Sequence, residues 1–172
     1  MAYVDPNTVH NPTTGNVIPA SWGDTVRDCL EFLIDPPTCS VSNSAVQSLA
    51  TNTLTDLTAN TEQFDNDSMH SGSSARITIV TPGRYLFTAC VRLDQAVTAG
   101  NLTVRFYLNG TTSYPLGIVQ ATTSGSYETI IAGSLPIGPL IAGDYVTCQS
   151  RHSDAGNQDH TLSNFSAMFL TR

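Results

Sequence analysis

The side chains of this chain that could do chemistry are concentrated in one polar segment near the C-terminal end. His152, Ser153 and Asp154 are followed a few residues later by Asp159 and His160. Imidazoles and carboxylates are ligands for divalent transition metals. Two interpretations follow, a metal site or a solvated polar loop between strands. The loop is favoured, because no partner residue that would orient these ligands is visible.

A second acidic segment precedes the middle of the chain. Asp65, Asp67 and Gly72 do not have the spacing of a calcium-binding loop. We therefore expect the two carboxylates to accept hydrogen bonds within a turn. His70 is expected to be packed or to cap that turn rather than to act as a base.

No catalytic motif is present in the sequence. It contains no nucleophile elbow, no zinc-protease His pair, no phosphate-binding loop and no dinucleotide fingerprint. The prediction is a protein without catalytic residues, metal or cofactor. Cys29, Cys39, Cys90 and Cys148 lack the spacing of a metal finger, so they are expected to pack as small apolar side chains.

Composition and charge exclude several classes of partner. Charged residues make up 12% of the chain, against about 25% in typical soluble domains. The formal net charge is −7 and the sequence has no lysine, which argues against nucleic-acid binding. No apolar run is long enough to cross a bilayer, and no secretory signal pattern is visible. We expect synthesis and assembly in a cytosol.

The elements that must position these residues are mostly strands. The clearest signal is Arg76–Val91, two β-type runs hinged on Thr81-Pro82-Gly83 and read as a hairpin, with Gly83 supplying a positive φ. Leu86 is expected on the opposite face, against a second sheet or a neighbouring subunit. The residues that share one face of the second run, at the period of a strand, are Tyr85, Phe87, Ala89, Val91 and Leu93.

The remaining strands predict an all-β, jelly-roll sandwich over residues 41–172. Asn109-Gly110 is the strongest short hairpin signal, between an alternating strand that ends at Leu108 and a weaker strand from Tyr114. About eight short strands at regular spacing fit a double-sheet jelly roll.

An N-terminal arm is predicted over residues 1–40. Residues 1–20 are rich in Pro and Asn and contain Gly15, and these residue types disfavour a long helix. A short amphipathic helix is predicted over 22–34, with Ser21 as its N-cap. Docking on a neighbouring subunit or scaffold, and packing within the chain, both remain open for its apolar stripe, which includes Trp22, Val26, Leu30 and Leu33.

Ordered short motifs resemble a known family. The arm sequence Asn11–Asp24, followed by Val26-Arg27-Asp28, is similar to the N-terminus of structural proteins of tailed phages that infect actinobacteria. The head contains, in order, the motifs Phe64-Asp65-x-Asp67-x-Met69-His70, Arg76-Ile77-x-Ile79, Pro82-Gly83-x-Tyr85-x-Phe87, Phe106-x-Leu108-Asn109-Gly110, Ala142-Gly143-Asp144-Tyr145-Val146 and Phe165-Ser166-Ala167-x-Phe169. With these motifs the head resembles complement and tumour-necrosis-factor-like jelly rolls, and more closely the phage versions of them.

The resemblance implies a homotrimer in a virion, assembled in the host cytoplasm. Under it, the protein is a capsid decoration protein whose arm docks on the phage major capsid protein or another virion protein. The alternatives are a minor tail protein, with a tail-tip or fibre module that recognises a host glycan or protein through loops 94–101, 111–126 and 151–160, and a free carbohydrate-binding or signalling head. Expected interface residues, chosen for their aromatic surface, are Tyr85, Tyr107, Tyr127 and Tyr145.

Overall fold

The computed structural model describes residues 20–93, 100–120 and 129–171. Within these ranges it contains one helix, α1 (Ala20–Ile34), followed by strands only. The helix is neither long nor apolar enough to cross a membrane. The strands are β1 (Thr38–Ser42), β2 (Gln47–Leu49), β3 (Thr55–Asp56), β4 (Thr61–Asp65), β5 (Arg76–Thr78), β6 (Gly83–Leu93), β7 (Asn101–Leu108), β8 (Thr112–Gln120), β9 (Thr129–Leu140), β10 (Tyr145–His152) and β11 (Gln158–Thr171).

The strands form two antiparallel sheets. The first has the order β4-β1-β11-β6-β9, and β2 pairs with β11. The second has the order β3-β10-β7-β8, and β5 pairs with β10. Apart from the neighbours β7 and β8, the paired strands of both sheets are distant in sequence, as in a jelly roll. The predicted fold class is therefore confirmed.

The core lies between the inner faces of the two sheets. On β6 the side chains of Tyr85, Phe87, Ala89, Val91 and Leu93 are buried, so the predicted face is confirmed. The Phe87 ring lies 5.9 Å from that of Phe106 in the second sheet and 6.2 Å from that of Phe165 in the first, measured between centroids. These aromatic contacts join the sheets.

The predicted hairpin within Arg76–Val91 is wrong. β5 pairs with β10 of the second sheet, whereas β6 pairs with β11 and β9 of the first. The segment between them crosses from one sheet to the other, and Ile79 N donates to Asp144 O at 2.7 Å. Period-two alternation places residues on a face but does not choose the neighbouring strand.

Glycine has a different role at each of the two predicted turns. Asn109 and Gly110 both have positive φ, 51° and 65°, in the connection between the paired strands β7 and β8, so that hairpin is confirmed. Gly83 is not among the described residues with positive φ. A Cβ there would meet the Phe169 ring and lie 2.9 Å from Thr171 O. Gly83 is required for close packing instead.

Helix α1 begins two residues earlier than predicted and ends where predicted, at Ile34. Ser21 therefore lies inside the first turn, where its carbonyl accepts from Thr25 Oγ1 at 2.9 Å, and is not the N-cap. The chain divides into two compact units, and the second begins at Thr38. β1 thus starts three residues before the predicted boundary.

Strand ends define two opposite ends of the head. The proximal end contains Thr38, where the chain enters the head, and the connection 141–144. The distal end contains Leu49, His152 and Gln158. Asn101 N donates to Ser153 Oγ there at 2.7 Å, which ties two distal connections together. The connection 109–111 belongs to the proximal end. Of the predicted recognition segment 111–126, Thr112–Gln120 forms β8, whose last residue pairs with Asn101 at the distal end, and residues 121–126 lie outside the described ranges.

Candidate interaction surfaces

The two histidines of the polar segment form a pair inside the head. His152 on β10 and His160 on β11 are both 0% exposed, and their ring centroids are 5.5 Å apart. The favoured interpretation of a solvated loop is therefore wrong for these residues. Each occupies an inward position of its strand, because it alternates with a residue of the outer face.

Hydrogen bonds give the pair a structural role. His152 Nε2 lies 2.9 Å from Leu49 O, and since a carbonyl only accepts, Nε2 carries the proton. Ser150 Oγ lies 2.9 Å from His160 Nδ1. These contacts link the second sheet to β2 and β11 at the distal end. His152 Nδ1 is buried without a hydrogen-bond partner.

The carboxylates of the segment do not complete a metal site. Asp159 precedes the inward His160 and so belongs to the outer face of β11, while Asp154 Oδ1 accepts from Ala155 N at 3.1 Å. Across the described ranges, no group of three or more His, Cys, Asp or Glu side chains is arranged to hold a metal ion. The fold keeps the two histidines together and places Asp159 on the opposite face of its strand.

The acidic turn before β5 agrees with its prediction at Asp65 and His70 and differs from it at Asp67. Asp65 Oδ2 accepts from His70 N at 2.8 Å, and Asp67 Oδ2 accepts from Thr81 N at 3.1 Å. His70 is buried, and its Nε2 lies 3.2 Å from Ser74 O. Asp65 thus accepts within the turn, as predicted, whereas Asp67 bonds to the connection that crosses between the sheets. His70 is a packed residue, as predicted.

Buried titratable groups in the core remain protonated at neutral pH. Burial raises the pKa of the Cys39 thiol to about 12, with smaller contributions from the Asp65 and Glu62 carboxylates. Burial also raises the pKa of Cys148, with a further contribution from Asp56. Both cysteines are free and pack as small apolar side chains, as predicted. A protonated, inaccessible thiol is a poor nucleophile.

The four tyrosines predicted at the trimer interface do not share a surface. Tyr85 is 0% exposed and its hydroxyl donates to Thr81 O at 2.6 Å, so it offers no surface to another chain. Tyr107 and Tyr145 are half-buried on the outer face of the second sheet, where Arg105 covers the Tyr107 ring at 4.7 Å and Arg76 the Tyr145 ring at 5.1 Å. Tyr127 lies outside the described residues.

The outer face of the first sheet carries small, uncharged side chains. Asn164 Nδ2 donates to Ser40 Oγ at 3.0 Å, and Ser40 Oγ donates to Gln63 Oε1 at 2.8 Å. Thr88 and Ser166 are joined by a short hydrogen bond in the same row. This network runs across β4, β1, β11 and β6. Its polar groups already bond to one another, so covering them costs little desolvation.

Apolar residues border that network. Leu86 on β6 is paired with Met168 on β11 and Pro136 on β9, and Met168, Leu170 and Phe64 are each about half exposed. From Leu86 to Cys90 and from Asn164 to Leu170, no outward side chain of these described strands is charged. We call this the serine face, defined by Ser40, Leu86, Thr88, Asn164, Ser166 and Met168.

The outer face of the second sheet has a different character. Arg105 Nε donates to Gln149 Oε1 at 2.7 Å, and Gln149 Nε2 donates to Asp56 Oδ1 at 2.8 Å. Charged groups and their partners therefore occupy its centre. Charge depletion at the centre of a patch is typical of protein interfaces, which favours the serine face over this one.

Helix α1 exposes the C-terminal part of the apolar stripe that the sequence predicted. Leu30 and Leu33 are 53% and 75% exposed, and Ile34 is 82% exposed, whereas Trp22 and Val26 are half-buried. The side chain that the chain buries is Phe32, at 6% exposure. Phe32 lies outside the predicted stripe, and its apolar character was the only sequence signal for its burial.

The jelly roll is similar in fold to those of complement and tumour-necrosis-factor-like proteins. Similar solved structures include the globular domain of zebrafish complement 1qA protein, at 17% identity and a TM-score of 0.60, covering 79% of this chain and 98% of that one. Murine APRIL is similar at 12% identity and a TM-score of 0.55, covering 78% of this chain and 98% of that one. Eiger TNF from S. frugiperda is similar at 11% identity and a TM-score of 0.54, covering 78% of this chain and 94% of that one. At these identities the likeness shows the fold alone.

No protein-family model and no curated protein sequence matches this chain.

Proposed function

We propose that this protein is a non-enzymatic, homotrimeric structural protein of a tailed-phage virion, a capsid decoration protein anchored by its N-terminal arm. The observation that carries the proposal is the exposed apolar face of α1 in the segment before the head. A stable head does not need such a face, since Leu33 and Ile34 contribute almost nothing to a core. Their exposure is explained if a partner covers them.

The serine face supports the trimer. It lies on the central strands of a sheet, and its polar side chains already bond to one another within one chain. Three such faces around a threefold axis would bury Leu86, Met168 and Leu170 at little electrostatic cost. The trimer interface proposed here therefore replaces the four tyrosines with the residues around Leu86.

Trimerisation would also strengthen the binding of the arms to the shell. Three weak arms on one particle bind multivalently, because the first contact raises the local concentration of the other two. A protein that binds only the assembled shell stabilises that shell by mass action. Anchoring of this kind requires geometry and affinity, and no chemical step.

Deletion of residues 2–34 tests the arm. The head begins at Thr38 and has its own core, so the truncated protein should still fold and form trimers. We expect it to lose binding to capsids from which the protein has been stripped, as measured by co-sedimentation. The full-length chain is the control. Binding of the truncated trimer with full-length affinity would contradict the proposed anchoring.

The rival function is host recognition at a tail tip or fibre. The distal end supports it, since the distal connections lie at the end of the head opposite Thr38, where the arm enters. Copy number separates the two functions. Decoration requires hundreds of copies per particle, whereas a tail tip holds only a few, and quantitative electrophoresis of purified particles counts them.

A further inference from the structure

Helix α1 presents three different sectors around its axis. At about 100° per residue, Leu30, Leu33 and Ile34 share one side. Asp24, Arg27 and Glu31 share the adjacent side, which borders the apolar side at Ile34. Phe32 points to a third side and is buried. The exposed part of the helix is therefore an apolar strip with a charged strip along one edge.

The charged strip is acidic. Arg27 contacts three carboxylates, with Nη1 3.2 Å from Asp24 Oδ1, Nη2 3.4 Å from Asp28 Oδ1 and Nε 3.8 Å from Glu31 Oε1. Three carboxylates against one guanidinium leave a net charge of −2 on the helix. All four side chains are 41 to 63% exposed, so this charge faces solvent and any approaching partner.

This charge argues against pairing of the helix with copies of itself. Packing three α1 helices along their apolar strips would bring three net charges of −2 together, and the chain has no lysine to offset them. Like charges along the edges of a helical interface oppose association. A second copy is thus a poor occupant for the strip.

We propose that the exposed strip of α1 docks into an apolar groove of a different protein, and that lysine or arginine side chains line the groove on the side facing Asp24 and Glu31. The apolar residues Leu30, Leu33 and Ile34 supply most of the buried area. The acidic edge fixes which way round the helix lies and speeds association. This inference rests on the proposed anchoring and adds the chemistry of the partner.

Photo-crosslinking identifies the occupant directly. Leu33→p-benzoylphenylalanine, introduced into the full chain in the cells that produce it, should crosslink to a second protein at a segment that carries Lys or Arg within a few residues. The control is Ile118→p-benzoylphenylalanine, at an exposed apolar position on β8. Crosslinking to another copy of this chain, or no more crosslinking than the control, would overturn the inference. A partner that is not a virion protein would leave the inference standing and refute the proposed function.

Charge variants with opposite expected effects test the acidic edge. Against the crosslinked protein, Asp24→Asn should weaken binding about 3-fold at low salt and Arg27→Gln should tighten it about 3-fold. Both differences should vanish at high salt. Changes in the same direction, or differences that survive high salt, would mean that the variants only disturb the helix and would overturn the basic groove.

An apolar pair of variants tests the strip itself. Leu33→Ser should weaken binding at least about 10-fold, because the lost side chain is buried only in the complex. Ile118→Ser is the matched control and should bind like the wild type. Equal effects of the two substitutions would refute docking through this side of the helix.

Discussion

The buried Cys39 side chain makes the stability of the head depend on pH. Its thiol is 0% exposed on β1, and its pKa is raised from 9.0 to about 12 by burial and by two nearby carboxylates. In the unfolded chain the thiol ionises near pH 9, while in the folded head it stays protonated. The contribution of Cys39 to the free energy of unfolding is therefore complete below pH 9 and is lost as pH rises toward 12.

This raised pKa predicts how the free energy of unfolding changes with pH. The free energy of unfolding of the wild type should fall between pH 8.5 and 10.5, and Cys39→Ala should reduce that fall. Cys148 and Tyr85 also have raised pKa values, so part of the slope should remain. Urea unfolding at a series of pH values measures it, with Cys29→Ala as the control for thiol removal. An unchanged slope in Cys39→Ala would contradict the assignment.

The histidine pair shows the limit of reasoning from single residues. The sequence grouped His152 and His160 with two carboxylates in one polar segment and favoured a solvated loop, whereas both histidines are buried. It could not show that both point inward, because that depends on the register of β10 and β11. The partner of His152, Leu49 O, is far away in the chain, and the partner of His160, Ser150 Oγ, lies in the other sheet.

At the scale of elements, the connection between β5 and β6 determines how the sandwich closes. The sequence correctly marked Thr81-Pro82-Gly83 as the end of one strand and the start of another. Asp67 and Tyr85 both bond to Thr81, and these bonds hold the crossing segment between the sheets. Turn residues predict where a chain reverses, but the partner strand is chosen by packing.

Two glycines test this packing role. Gly83→Ala would place a Cβ against the Phe169 ring and Thr171 O, and should cost about 1–3 kcal/mol of stability in urea unfolding. Gly23→Ala in α1 meets nothing within 4 Å, and should stabilise the helix by about 0.5–1 kcal/mol, as measured by amide hydrogen exchange. Equal effects at the two positions would contradict the close approach at Gly83.

Helix α1 was predicted nearly to its ends because its signals are local. A charged and an apolar sector at helical spacing, followed by Asp35-Pro36-Pro37, mark both type and end. Which side of the helix is covered was not predictable. Phe32, outside the apolar stripe, is buried, while Leu33, within it, is exposed, and the period of the helix does not account for this difference.

At the scale of the whole molecule, the two sheets present different surfaces. The second sheet is covered by charged and amide side chains that bond to one another, and the first carries the serine face. If the serine face forms the trimer, a charge at its centre should prevent assembly, because three carboxylates would be buried around one axis.

The corresponding prediction uses Leu86→Glu combined with Met168→Glu. This variant should remain folded, since both side chains point away from the core, and should sediment as a monomer at micromolar concentration. Ile118→Glu, on the second sheet, is the control and should sediment like the wild type. A wild type that is itself a stable monomer, or a trimeric double variant, would contradict the proposed interface.

The sequence by itself determined the class of fold, the short helix, the inner face of β6 and the hairpin at Asn109-Gly110. These depend on local propensity, turn residues and the period of hydrophobic positions, which are written in neighbouring residues. Only the tertiary structure decided that β5 and β6 belong to different sheets, that the histidines are interior, and that the uncharged face surrounds Leu86 rather than the tyrosines. Each of these depends on register and pairing between distant strands, and local sequence does not encode which distant strand lies beside another.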